Sequence, residues 1–185
     1  MSLDIQLIKP EDIHKQNDFI CVYQEVFAGA PYFEKWESTE IQSMMDHWFE
    51  IGNAYVSVAY IDGNPIAIAA GVPLVAEQKR YNALKLEDQY MHLVDSIFYN
   101  VEVAVLPSCR GRGIASQLID NRILFAQENE FSHLVFITIE EGSLSEPLYL
   151  KKGFQRITNL LVPEIQNGIN GEDVHYNNVF LIKEI

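Results

Sequence analysis

The chain has 185 residues, is 48% hydrophobic and carries a formal net charge of -13, with a sequence pI of about 4.7. That length and apolar share suffice for one packed core, so a single domain over residues 1–185 is expected. The acidic balance argues against nucleic acid or an anionic membrane as partner, and it favours a cationic small molecule.

In chain order, "LDIQLIK" alternates apolar and polar residues as a strand does, ahead of Pro10. Charges occupy this N-terminal stretch where a signal peptide needs an apolar core, and no run reaches the roughly 18 apolar residues of a membrane span. The expected location is therefore cytoplasmic. A helix is expected from Pro10 to Gly29, and the aromatic loop "APYFEKW" follows it. In "TEIQSMMDHWFEIG", a second helix, Thr39 and Gln42 have capping-box spacing and Gly52 ends the run.

"DGN" between "AYVSVAYI" and "PIAIAAGVPLV" predicts an antiparallel hairpin. Residues 77–95 read as a helix or a lid. "SIFYNVEVAVLP" reads as a buried strand stopped by Pro107. From Gly111 to Glu128 the spacing is helical, with Ile114, Leu118 and Ile119 on one apolar face that Arg122 interrupts; a snorkelling guanidinium is expected there. "HLVFITI" is a further strand and "SEPLYLKKG" a short helix. "FQRITNLLVPEI" and "DVHYNNVFLIKEI" close the chain as a hairpin. This order predicts an α/β domain with one mixed sheet of about seven strands flanked by helices.

Cys21 and Cys109 read as reduced thiols rather than a disulfide. No Cys or His pair has ligand spacing, and His14, His47, His92, His133 and His175 are scattered, so no metal is expected.

The chemistry is concentrated in "LPSCRGRGIA", where a buried strand runs into a glycine-bearing turn that opens a helix. The first helical amides have no intrahelical partner, and the macrodipole adds about half a positive charge, so such a turn suits an anion. A hydrogen bond to a charged group is worth roughly 1.5 to 3 kcal/mol, against about 0 to 1 kcal/mol for an exposed ion pair. Convergent amides should thus dominate, with Arg110 and Arg112 as helpers. Ser116 stands where G-x-G-x-x-G needs its third glycine, and no G-K-[ST] follows, so neither a dinucleotide fold nor a P-loop is indicated. By itself the turn also fits a purely structural role in helix-on-sheet packing.

"VEVAVLPSCRGRGIASQLI" resembles the acyl-CoA-binding signature of the GNAT superfamily of N-acyltransferases, a strand followed by [RQ]-x-x-G-x-[GA] and a helix, filled here by Arg110, Gly113 and Ala115. "EPLYLKKGF" resembles that family's second signature, and the element order fits along nearly the whole chain. The resemblance implies a mostly antiparallel GNAT-like sheet and transfer of the acetyl group of acetyl-CoA, as co-substrate, to a primary amine of a small cationic metabolite or a peptide. It also allows a homodimer. Val103, Ala104 and Val105 would pair with the pantetheine arm, while Arg110, Gly111, Arg112, Gly113, Ile114, Ala115 and Ser116 would hold the pyrophosphate. Where family members often carry Asn, this chain has Gly142, and Ser143 or Ser145 would replace that contact; Lys152 is a further candidate for the coenzyme.

Acyl transfer to an amine needs a neutral nucleophile. An alkylammonium with a pKa near 10.4 is neutral only about one part in a thousand at pH 7.4, a penalty of roughly 4 kcal/mol. Glu102 is the candidate base, its alternative being an outward-facing strand glutamate; Tyr99 and Glu140 are further candidates, and the resemblance allows a water in their place. The resemblance makes Tyr149 the general acid for the leaving thiolate, the alternative being a tyrosine packed under the sheet, and lets the Val105 amide meet the thioester carbonyl. Tyr32, Phe33 and Trp36, with Glu34 and Glu40 near, would receive a cationic amine, or else plug the core beneath the helix pair. A non-catalytic acyl-CoA-binding module and a purely structural domain are the competing readings.

Overall fold

The computed structural model describes residues 2–85, 90–140, 143 and 145–185. Seven strands form one sheet: β1 (Leu3–Leu7), β2 (Tyr55–Ile61), β3 (Asn64–Pro73), β4 (Ile97–Val105), β5 (His133–Ile139), β6 (Gln155–Asn167) and β7 (Asp173–Glu184). Their order is β1-β2-β3-β4-β5-β7-β6, with every neighbouring pair antiparallel except β4 and β5. This is the expected mixed, mostly antiparallel sheet. No helix among the described residues is long and apolar enough to cross a membrane.

Helices α1 (Ile13–Phe27), α2 (Ser38–Ile51) and α3 (Gln78–Lys85) precede β4, while α4 (Ile114–Glu128) and α5 (Glu146–Lys151) come after it. One core layer packs Phe19, Tyr23, Met45 and Trp48 of α1 and α2 against Val58, Ile68 and Tyr99 of the sheet. The other packs Leu118 and Ile119 of α4 with Phe98, Leu134 and Tyr149. With helices on both faces, β2 and most of β3 are buried residue after residue, which is why both read as apolar runs without alternation.

The β2–β3 hairpin closes as predicted, with Asp62 at φ 51° and Gly63 at φ 80°, the two positive values that a tight turn of this hand requires. Helix α2 departs from expectation at its start. It begins at Ser38, so the capping box is made by Glu37 and Glu40, and Gln42 instead donates to Gln16 Oε1 at 2.8 Å. Residues 77–95 contain α3 and turns, and residues 86–89 lie outside the described residues.

The register between β3 and β4 shifts between Ala70 and Val72, where Gly71 on one strand faces Asn100 and Val101 on the other. This bulge inserts one extra residue into β4 and breaks its side-chain alternation. Gly71 is obligatory for close approach rather than for conformation: a Cβ there would lie 2.4 Å from Cε1 of the buried Phe98 ring and 3.2 Å from the Tyr99 carbonyl. Gly71→Ala is expected to destabilise the fold by about 1 to 3 kcal/mol through overpacking, read as a lower denaturant midpoint.

Candidate active site

β4 and β5 pair only from Ile97 with His133 to Asn100 with Phe136. Beyond that point β3 keeps its hold on β4 and β7 keeps its hold on β5, so the two strands part. The Leu106 amide donates to the Ile66 carbonyl at 2.9 Å. In the alternating antiparallel ladder, Val103 and Val105 are therefore the residues whose main-chain groups turn away from β3, into the gap. The Val105 carbonyl is taken there by Arg110 Nε at 3.1 Å.

At the end of β4 lies a cavity of about 560 Å³, lined by Val103, Ala104, Val105, Arg110, Gly111, Gly113, Ile114, Ala115, Ser116 and Ser145. That volume suits a sizeable ligand. Gly113 caps α4 at φ 78°, and a Cβ on it would meet nothing within 4 Å, so backbone and open space coincide. The first bond of the helical ladder runs from the Gln117 amide to the Gly113 carbonyl at 3.2 Å, leaving the amides of Ile114, Ala115 and Ser116 ahead of the ladder. These features fit a diphosphate. Two expected members are elsewhere: Arg112 folds back 3.4 Å from the Ser108 carbonyl, and Lys152 pairs with Asp120, while Lys151 takes the place at the cavity wall. Gly142 lies outside the described residues, and Ser143 joins Thr138 and Ser145 in a cluster of hydroxyls.

A second cavity, of about 310 Å³, opens on the α1–α2 side of the same gap. Tyr32 and Trp36 line it as expected, and so does Tyr99. Phe33 does not; its ring is 48% exposed and its carbonyl accepts from Ile169. Glu40 caps α2 instead. Among the described residues, four carboxylates, Glu34, Glu77, Glu102 and Glu164, face a single guanidinium, Arg80, which donates to Glu164 at 2.6 Å and lies 3.8 Å from Glu77. The sequence reading missed Glu77, Arg80, Glu164 and Tyr176, because they come from the start of α3, the residue before it and the β6–β7 hairpin, and meet only through the fold.

Glu102 faces this cavity because of the β4 bulge. Simple alternation sets it opposite Val101, but the extra residue turns both to the same side, where Tyr23 donates to Glu102 Oε1 at 3.1 Å. Burial pushes its carboxyl up to about 8, reinforced by the negative Glu34 and moderated by the Tyr23 hydrogen bond. Burial likewise raises Glu34, against the Trp36 indole that donates to it at 2.7 Å. Glu140 is not brought in; it is held by Arg156 at 2.9 Å.

Arg122 and Tyr149 are the two remaining placements, and the first corrects the sequence reading. Arg122 does not snorkel but is 0% exposed: Nη1 donates to the carbonyls of Ala70 and Glu102, and Nη2 to the Tyr149 hydroxyl at 2.7 Å. Tyr149, also 0% exposed, stacks on Phe136 with ring centroids 3.7 Å apart and lines neither cavity. Its phenol is raised by burial and drawn back by Arg122, and the packed alternative describes this tyrosine as the structure holds it.

Compared with known proteins, residues 23–154 match the model of the Acetyltransferase (GNAT) family. An N-acetyltransferase from Staphylococcus aureus Mu50 superposes with a TM-score of 0.71 at 16% identity, covering 100% of this chain and 99% of that one. A ribosomal-protein-alanine N-acetyltransferase from Brucella melitensis gives 0.70 at 15% identity, over 98% and 99%. The protein yncA from Salmonella typhimurium, whose structure includes its cofactor acetyl-CoA, gives 0.67 at 14% identity, over 100% and 94%. No curated protein matches the sequence.

Tyr149→Phe is expected to leave a buried Arg122 donor without its acceptor and to lower unfolding stability by about 1 to 3 kcal/mol, measured by urea denaturation.

Proposed function

The chain belongs to the GNAT family of acetyltransferases, and from that premise we propose that it transfers the acetyl group of acetyl-CoA to a primary amine of a small cationic molecule. The observation that carries the acceptor class is the cavity of four carboxylates against one guanidinium. An ammonium is attracted there twice, by the local carboxylates and by the net charge of -13 that surrounds the whole chain. Tyr32 and Trp36 add aromatic faces on which a cation can rest.

The coenzyme diphosphate would sit on the amides at the start of α4, with Gly111 and Gly113 leaving the approach open and Arg110 beside it. The pantetheine arm would use the main-chain groups of Val103 and the amide of Val105 as an added strand in the gap. With the arm so aligned, the thioester arrives where the two cavities meet. Glu102 is the base in this reading: an ammonium beside it transfers a proton to the carboxylate, and the neutral nitrogen forms the C–N bond at the thioester carbon. The carbonyl oxygen gathers negative charge and is met by the Val105 amide. Collapse breaks the C–S bond.

Glu102 must be ionised to act, and its carboxyl is raised to about 8, so kcat/KM should climb as pH rises through about 8 and level off above it. Glu102→Gln is expected to lower kcat/KM by about a hundredfold on that plateau and to abolish the limb, checked in pH-rate profiles with linear diamines as acceptors. Gly113→Glu should abolish acetyl-CoA binding in isothermal titration, because the new carboxylate enters the diphosphate cradle; unchanged affinity would refute the cradle assignment.

A further inference from the structure

We infer that Arg122 is the positioning residue for Glu102: from the opposite face of the sheet, its guanidinium holds the bulge that turns this carboxyl into the acceptor cavity. Given acetyl transfer with Glu102 as base, the reading on which this rests, Arg122 supplies what keeps that base in place.

Ala70 and Glu102 are the last partners before the register between β3 and β4 shifts. A single nitrogen, Arg122 Nη1, donates to both of their carbonyls, at 3.0 Å to Ala70 and 2.8 Å to Glu102. It therefore bridges the two strands at the border of the bulge. Nη2 donates to the Tyr149 hydroxyl at 2.7 Å, and the Tyr149 ring stacks on Phe136, so the guanidinium is anchored to α5 and through it to β5. Arg122 is 0% exposed, so water does not compete for these bonds.

Arg122 reaches the sheet from the α4 side, whereas the Glu102 side chain leaves on the α1–α2 side, where Tyr23 donates to it. A strand residue whose carbonyl is held from one face cannot turn its side chain to that face without giving up the bond. Counted by alternation from Tyr99, an unbulged β4 would put Glu102 on the α4 side, beside the same guanidinium, where pairing would lower its pKa. The bulge keeps the two charges on opposite faces.

The carboxyl held in this way is enclosed by Tyr23 of α1, Tyr32 and Glu34 of the loop after it, Arg80 of α3, Tyr99 of β4 and Glu164 of β6. His47 of α2 and Glu77 line the same cavity. Burial first, then Glu34, raises its titration to about 8. Released from the enclosure, it would fall back towards the ordinary range near about 4.3.

The test reads the carboxyl directly. In protein isotope-labelled at the glutamate carboxyl carbons, the Glu102 resonance is identified by its loss in Glu102→Gln and followed against pH. Arg122→Lys keeps the charge, but its ammonium ends one bond short of the guanidinium's terminal nitrogens, so the Glu102 midpoint should fall by about one unit or more. The rising limb of kcat/KM for linear diamines should move down with it and the plateau drop by about tenfold, with acetyl-CoA affinity in isothermal titration unchanged. Val58→Ala weakens the buried core on β2, a strand that pairs with β1 and β3, and should leave the midpoint at its wild-type value. Should Arg122→Lys fail to fold, Gly71→Ala, which crowds the bulge from β3 with Arg122 intact, takes its place with the same expected fall. An unmoved or raised midpoint, an equal fall in Val58→Ala, or loss of acetyl-CoA binding in Arg122→Lys would overturn the assignment. Failure of the acetyl-transfer reading shows separately, as a wild-type protein that binds no acetyl-CoA or acetylates no diamine whatever the Glu102 titration does.

Discussion

The parting of β4 from β5 after Asn100 and Phe136 is the constraint on which the rest of the site depends. Both strands are firmly held on their outer sides, β4 by β3 and β5 along its whole length by β7, so the sheet opens in its middle rather than fraying at a margin. Main-chain groups of Val103 and Val105 are left facing the gap. Unpaired backbone groups are costly once water is excluded, and a ligand with amides of its own is the natural way to satisfy them. Two cavities flank this opening and share Phe27, Tyr32, Val103 and Ser145 in their linings.

Within that frame the β4 bulge sets the chemistry. It turns Glu102 to the α1–α2 side while Val103 and Val105 keep their main-chain groups towards the gap, so a titratable carboxyl and a strand edge share four consecutive positions. Gly71 allows the crowding on one side and Arg122 ties down the other, its guanidinium spanning β3, β4 and α5 through Ala70, Glu102 and Tyr149. A buried cation with no carboxylate on its guanidinium among the described residues costs several kcal/mol in desolvation, which its charge-assisted hydrogen bonds offset at roughly 1.5 to 3 kcal/mol each. Arg122 therefore reads as a structural tie rather than as part of the anion site, although it is an arginine about two turns along the helix that opens that site.

Two opposed local fields meet where Tyr32 stands. On one side the amides opening α4 and Arg110 favour an anion in a protein that is strongly acidic overall; on the other, four carboxylates favour a cation. Net negative charge attracts a cation from a distance and works against an anion, so an anion on this protein would have to be held by dipoles at contact range. The Arg80 pairs with Glu164 and Glu77 offset part of the repulsion among the clustered carboxylates, and the Glu164 pair ties α3 to β6.

Much of this protein was legible in its residues because the determining physics is local. Turn chemistry at Asp62 and Gly63, apolar runs in β2 to β4, and the glycines before α4 each act within a few positions, and they led to the sheet, the hairpins and the anion turn. The roles of Glu102, Arg122 and Tyr149 were not legible in the same way. A one-residue bulge reverses the face of everything beyond it, and an arginine on an apolar helix face snorkels or is buried according to whether carbonyls on another element can receive it. The acidic cavity needs Arg80 and Glu164, 84 residues apart, to meet. The sequence by itself determined the elements and the glycine turn before α4, since those follow from periodicity, capping and backbone freedom; tertiary structure alone decided which carboxylate faces the gap and which tyrosine lines it, because those depend on strand register and on packing between elements far apart in the chain.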